Sequence, residues 1–205
     1  MPEPSANFRF GAVILAAGAS TRMGQPKQLL PFQGRPLVVH AVEAALATRA
    51  WPVVVVLGAN AALIRPALAR LPVLIAENPA WAEGMAASIR AGITTLQQFS
   101  RALDAGLIAL CDQPAFTAAV IERLVAAQRA TGRSIVAARH GDRNTAPALF
   151  RREHFPALAA LTGEEGARHL LNDGFADVTT LELPELALDL DTPADYAALV
   201  KPPSS

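Results

Sequence analysis

The run Leu15-Ala-Ala-Gly-Ala-Ser-Thr-Arg-Met-Gly-Gln-Pro-Lys27 places two glycines, an arginine and a lysine in one loop directly behind an apolar stretch. Glycines leave backbone N–H groups uncovered, and such groups can wrap a phosphate chain. Arg22 and Lys27 supply the positive charge such a chain needs. The spacing fits neither common template: G-x-x-x-x-G-K-[ST] is absent, and Gly11, Gly18 and Gly24 do not fall at G-x-G-x-x-G intervals.

Two acidic positions are candidates to face that loop. Asp112 follows Leu107-Ile-Ala-Leu-Cys111, so its carboxylate leaves the carboxyl end of an apolar strand before Pro114 and Thr117 end the strand and start a helix. It can hold Mg2+ against phosphate oxygens, since hard divalent cations take one or two carboxylates plus phosphate and water. It can equally accept hydrogen bonds from turn N–H groups. In Leu188-Asp-Leu-Asp-Thr-Pro-Ala-Asp195, helix initiation accounts for Thr192 as N-cap, Pro193 at the first helical position and Asp195 in the first turn. It leaves Asp189 and Asp191 over: either one of them, Asp191 by preference, completes a metal site with Asp112, or both are solvated acidic residues.

A third stretch, Glu77-Asn-Pro-Ala-Trp-Ala-Glu-Gly-Met-Ala-Ala-Ser-Ile-Arg90, joins a strand end to a helix. Asn78 and Pro79 form a turn, Gly84 permits close backbone approach, and Ser88 offers a hydroxyl. Trp81, Met85 and Ile89, four apart, are expected to pack in the core rather than to stack on a base. His40, His140, His154 and His169 lack metal-ligand spacing, and no Gly-x-Ser-x-Gly supports acyl transfer.

The elements that must position these groups follow from periodicity. Apolar runs over residues 10–17, 53–57, 73–76 and 106–111 read as strands, and 37–48, 61–70, 85–98 and 117–131 as helices between them. Strands that are apolar throughout imply a parallel sheet covered on both faces. Beyond Gly132 the rhythm changes: strands are expected over 134–139, 148–151 and 178–183, a turn over 140–144, and helices over 154–161, 166–172 and 193–200. Residues 1–9 and 201–205 read as loose tails around a single domain over 10–200. Ligands in such sheets sit beyond the carboxyl ends of the strands, where strand order reverses. The loop after Ala17, the Asp112 turn and the segment after Ala76 are therefore the positions to inspect.

Bulk composition narrows the function. The 205 residues are 52% hydrophobic, with 18 acidic and 18 basic side chains, so no global field recruits nucleic acid or an anionic membrane. No apolar run approaches the roughly 18 residues that span a bilayer, and no secretory leader is visible, so a cytoplasmic protein is expected. Cys111 is the single cysteine and reads as a small buried thiol.

On these residues the chain resembles the MobA-like nucleotidyltransferase family, and within it the molybdenum cofactor cytidylyltransferase branch. The shared blocks are Leu15-Ala-Ala-Gly-Ala-Ser-Thr-Arg-Met-Gly24 with Lys27 and Leu29-Leu-Pro31, Asn78-Pro-Ala-Trp-Ala-Glu-Gly-Met-Ala-Ala-Ser-Ile89, Cys111-Asp-Gln-Pro114, Pro147-Ala-Leu-Phe150, Gly166-Ala-Arg168 and Asp189-Leu-Asp-Thr-Pro193. The resemblance implies a Rossmann-like three-layer α/β/α fold with a mostly parallel mixed sheet. It implies a nucleotide held by Leu15, Ala16, Ala17, Gly18, Ser20, Thr21, Arg22, Met23, Gly24 and Lys27, with Asn78, Gly84 and Ser88 nearby. Asp112 and Asp191 are the implied Mg2+ ligands, and Lys27, Arg22 and Asp112 the implied catalytic groups.

Residues 10–131 then form the nucleotide-binding half and 132–200 the half that admits a molybdopterin-type phosphorylated acceptor. The Cys-Asp-Gln-Pro block is typical of the branch that uses CTP. A molybdoenzyme or its maturation chaperone is the implied recipient, with no nucleic-acid or membrane partner. Two departures fall on the acceptor side: Asn144-Thr-Ala-Pro147 stands where relatives often carry a Gly-His-Pro-like turn, and Gly163-Glu-Glu165 where Gly-Asp is expected. The rival readings are a nucleotidyltransferase using another triphosphate or a sugar-phosphate acceptor, a non-catalytic cofactor-binding chaperone, and a dinucleotide-dependent oxidoreductase.

Overall fold

The computed structural model describes residues 8–164, 166–172, 178–188 and 190–200. Glu165, Asp189, the expected tail at 201–205 and most of the tail at 1–9 lie outside the described residues.

The strands are β1 (Phe10–Ala16), β2 (Pro31–Phe32), β3 (Arg35–Pro36), β4 (Val53–Leu57), β5 (Leu74–Glu77), β6 (Ala105–Leu110), β7 (Ile135–His140), β8 (Arg143–Arg151) and β9 (Val178–Glu182). The helices are α1 (Leu37–Leu46), α2 (Ala61–Leu68), α3 (Met85–Phe99), α4 (Ala118–Thr131), α5 (Phe155–Ala159), α6 (Arg168–Asn172) and α7 (Pro193–Val200). Seven strands form one sheet in the order β5-β4-β1-β6-β8-β7-β9. All run parallel except β8, which pairs antiparallel with β6 and β7.

Strand alternation sorts the core into two layers. Ala12, Ile14 and Ala16 of β1, with Val53, Val55 and Leu57 of β4, pack against α1, α2 and α4. The intervening residues, Val13, Leu15, Val54 and Val56, pack against α3, α5 and α6. Both faces of each central strand are therefore buried, which is why those strands show no polar alternation. From β1 the chain steps to β4 and β5, then returns to place β6 on the other side of β1. α1 and α2 cover the outward steps and α3 covers the return, so α3 lies on the opposite face, as right-handed crossovers require.

The expected strand over 148–151 is longer than periodicity indicated, because Pro147 masked its first half. Pro147 falls between two registers, where Ala137 pairs with Ala148 but Ala138 pairs with Thr145. A proline inside such a bulge forfeits no ladder bond, so the strand continues through it. The expected turn over 140–144 shrinks to Gly141 and Asp142. The hairpin of β2 and β3 was not foreseen: Gln33 and Gly34 connect it with φ of 47° and 82°, both positive as a tight primed turn demands. No helix among the described residues is long and apolar enough to cross a membrane.

Candidate active site

Strand order reverses between β1 and β6, and the Cys111 N–H donates to the Leu15 carbonyl at 3.2 Å where these strands end. The loop behind β1 and Asp112 behind β6 therefore leave the sheet side by side. Sheet topology thus brings together residues almost a hundred positions apart.

The phosphate-type loop is shaped from within. Ser20 and Gly24 both take left-handed backbone (φ 57° and 72°) on either side of a single 3-10 turn, Thr21–Met23. The Ser20 hydroxyl accepts the Lys27 N–H at 3.1 Å and donates to Gln28 Oε1 at 3.2 Å. Gln28 Nε2 in turn donates to the Ala16 and Gly18 carbonyls, at 3.2 and 2.8 Å. The Gln28 side chain is only 1% exposed, so it clamps the loop from below. Sequence reasoning missed it; the available signal was an uncharged polar residue wedged between Lys27 and the apolar pair Leu29-Leu30. A side chain at Gly18 would meet nothing within 4 Å, so the loop is open at this exposed position.

Asp191 reaches this loop because the segment after β9 is anchored. Leu190 is fully buried among Met23, Leu30 and Leu37, and its N–H donates to the Asp112 carbonyl at 3.2 Å. Asp195 accepts the Thr192 and Asp191 N–H groups and the Thr192 hydroxyl, at 2.7, 3.2 and 2.8 Å. This is the capping arrangement the sequence indicated for α7.

Four charged side chains then meet. Lys27 Nζ is paired with Asp112 Oδ2 and lies 3.0 Å from Asp191 Oδ1, while Arg22 Nη2 lies 2.8 Å from Asp191 Oδ2. Burial is the largest single influence on the Lys27 ammonium and would depress it, but the charge of Asp112, the hydrogen bonds to Asp112 and Asp191 and the charge of Asp191 together outweigh it, and the amine is held above its ordinary range. Burial alone would raise Asp191; the hydrogen bond and charge of Lys27, with help from Arg22, hold it below the usual carboxylate range. Cys111 is 3% exposed and burial pushes its thiol up, in keeping with an ordinary buried thiol. The two carboxylates converge on one cation, the arrangement a divalent ion with phosphate ligands also requires. Among the described residues no group of three or more His, Cys, Asp or Glu side chains is placed to hold a metal.

The segment after β5 departs from expectation in two ways. Asn78 and Ser88 are both buried and turned to each other, Asn78 Nδ2 donating to Ser88 Oγ at 3.1 Å, so the hydroxyl braces α3 rather than standing free. Trp81 and Met85, expected in the core, are 38% and 43% exposed, and only Ile89 is buried. The cause is Gly84, whose φ of 105° ends the 3-10 turn Trp81–Glu83 and restarts the chain as α3. The four-residue spacing therefore does not run along one helix. A side chain at Gly84 would come within 2.7 Å of the Glu164 backbone, so the loop before α6 lies directly against the start of α3.

Beneath that contact lies a cavity of about 110 Å³ on the α3 face of the sheet. Leu15, Ile108, Leu110 and Phe150 line it from the sheet, Met85 and Ile89 from α3, and Asn144, Glu164 and Arg168 are among its polar groups. His40 and His154 make local contacts instead, with the Phe32 carbonyl and with Ser134 Oγ at 2.8 Å.

Known proteins share this architecture. Nicotine blue oxidoreductase of Paenarthrobacter nicotinovorans is 37% identical over 169 residues, covering 78% of this chain and 79% of that protein. The purine catabolism protein PucB of Bacillus subtilis is 30% identical over 197 residues, covering 90% and 92%. Rv0371c of Mycobacterium tuberculosis H37Rv superimposes with a TM-score of 0.81 at 30% identity, over 94% of this chain and 97% of that one. The same protein in complex with manganese superimposes with a TM-score of 0.77 at 28% identity, over 94% and 98%. The MobA-like NTP transferase domain matches residues 12–179, which spans the loop, Asp112 and every strand except the first two residues of β1 and the last three of β9, and the chain accordingly belongs to that family.

Proposed function

We propose that the chain transfers CMP from CTP to a molybdopterin-type acceptor, releasing pyrophosphate. The observation that carries this reading is the convergence of Asp112 and Asp191 on one cation beside an open, glycine-bearing loop. In the reaction, an oxygen of the acceptor's terminal phosphate bonds to the α-phosphorus of CTP. The bond from that phosphorus to the oxygen bridging to the β-phosphate breaks, and its electron pair leaves with pyrophosphate. The attacking oxygen is already anionic, so no general base is needed, in keeping with a site built without histidine.

The residues fit a divalent ion: two carboxylates that already converge on one cation, the hard oxygen donors such an ion prefers. Asp112 and Asp191 would hold it, and when bound, Mg2+ or a similar ion supplies charge neutralisation on the transferring phosphates. Lys27 and Arg22 neutralise the leaving group, and the loop fixes the phosphate chain in line, so catalysis rests on positioning and electrostatics. The acceptor enters from the side of the cavity between β6, β8 and α3.

The test is pyrophosphate release with each of the four triphosphates, with and without molybdopterin. Release from CTP alone, and only with molybdopterin present, is the expected result. Release with a sugar phosphate instead moves the acceptor assignment, and tight binding without release favours a carrier.

A second reading comes from the 37% identity with a protein named as an oxidoreductase. Hydride transfer from a dinucleotide makes no use of paired carboxylates around a lysine. Oxidation of NADPH by the chain in the presence of a heterocyclic acceptor, without pyrophosphate release, would favour it.

A further inference from the structure

Lys27 occupies the place where the metal of the proposed reaction belongs. Its ammonium touches Asp112 and lies 3.0 Å from Asp191, whose second oxygen is taken by Arg22 at 2.8 Å. Two cations thus balance two carboxylates, and both oxygens of Asp191 are engaged. A divalent ion that joined them would stand within a few ångströms of an ammonium, at carboxylates already neutralised, in a site where Lys27 and Asp112 are only 17% and 11% exposed. Its binding is opposed while Lys27 stays, and Lys27 leaves readily only toward another anion.

The loop makes that exchange possible without moving the backbone. The Lys27 N–H is fixed to Ser20 Oγ, and the neighbouring Gln28 side chain is fixed to the Ala16 and Gly18 carbonyls. The lysine therefore springs from the same frame that would cradle a phosphate chain, with a flexible side chain that can turn from the carboxylates to the phosphates. A triphosphate supplies both the anion that draws Lys27 away and the oxygens that complete the metal's shell.

We propose that Lys27 is a built-in counterion that makes divalent-metal binding conditional on the triphosphate, so that metal enters with the nucleotide and not before it. This rests on the nucleotidyl-transfer reading of the site.

The test is equilibrium dialysis of Mn2+ against the full chain, comparing wild type, Lys27→Met and Lys27→Arg, with circular dichroism to establish that each variant is folded. Lys27→Met is expected to retain Mn2+ without nucleotide about tenfold or more tightly than wild type, and Lys27→Arg to behave as wild type. CTP is expected to tighten Mn2+ retention in wild type by a similar factor and in Lys27→Met by much less. If Lys27→Met does not fold, Lys27→Gln takes its place. Folded Lys27→Met that retains Mn2+ no better than wild type, while CTP still promotes retention in wild type, overturns the counterion role and leaves the transfer reading standing. Failure of every protein to retain Mn2+ with any of the four triphosphates overturns both.

Discussion

Leu190 donates its backbone N–H to the Asp112 carbonyl at 3.2 Å, and Asp191 is the next residue along. One backbone bond between positions far apart in the chain thus sets the spacing of the two carboxylates. Leu190 itself is fully buried against Met23, Leu30 and Leu37, so the geometry of the charged site depends on an apolar anchor.

Leu190→Ala is expected to remove that anchor. Deleting a fully buried leucine side chain costs about 2–5 kcal/mol, which urea unfolding measures directly. The second effect is functional: with the segment loosened, Asp191 is no longer held at Lys27. Pyrophosphate release should therefore fall further than stability alone accounts for at a temperature where the variant remains folded. Loss of stability with unchanged turnover would show that Asp191 is placed by something else.

Gln28→Ala is expected to loosen the loop rather than the fold. The variant removes the donor that the Ala16 and Gly18 carbonyls share and leaves polar groups in a buried space, which costs about 1–3 kcal/mol. Because the clamp shapes the rim that faces the phosphates, KM for CTP should rise more than kcat falls. A fall in kcat with KM unchanged would place Gln28 outside the binding frame.

What could be read from sequence follows the range of the forces involved. β1, β4, α1 to α4 and the α7 cap were legible because period, apolar run and capping chemistry are local. Asp112 was legible because a carboxylate at the end of an apolar strand has few places to go. The pairing of Lys27 with both carboxylates was not, since it depends on where Leu190 docks. Pro147 hid the first half of β8, because a bulge that excuses a proline is a property of the neighbouring strand. Trp81 and Met85 were misplaced because the four-residue spacing assumes a single helix, and Gly84 interrupts it. Gln28 was missed because its role depends on the Ala16 and Gly18 carbonyls that the fold lays over it.

The α7 cap predicts an acid response. Asp195 is held below its ordinary carboxylate value by the hydrogen bonds it accepts from the Thr192 hydroxyl and N–H, with the Asp191 N–H adding to them. A group depressed in the folded state stabilises it above the unfolded value, near 3.9, and that contribution is lost as pH falls through the folded value. Asp191 shifts in the same direction. Acid titration should therefore release the α7 segment first, seen as early proteolysis near the C-terminus below about pH 4. Asp195→Asn should move that onset toward neutral pH, and an onset identical in both proteins would remove the cap from the account.

Asp112→Asn tests the carboxylate that the transfer reading can least do without. The amide keeps the shape of the side chain and can still accept a bond from Lys27, while Asp191 and Arg22 continue to neutralise one another. The Leu190–Asp112 bond is made by backbone and survives the change. The fold should therefore persist, with an unaltered circular dichroism spectrum. Turnover should not: removing one preorganised charge from a phosphoryl-transfer site is expected to cost about 3–4 kcal/mol of transition-state stabilisation, a loss of about 10²–10³ in kcat. Asp112→Ala should go further, since it also removes the acceptor that Lys27 leans on, and pyrophosphate release should fall to background. Appreciable metal-dependent release from the alanine variant would take Asp112 out of the reaction and return it to the other role open to it in the sequence, an acceptor for the N–H groups of its own turn.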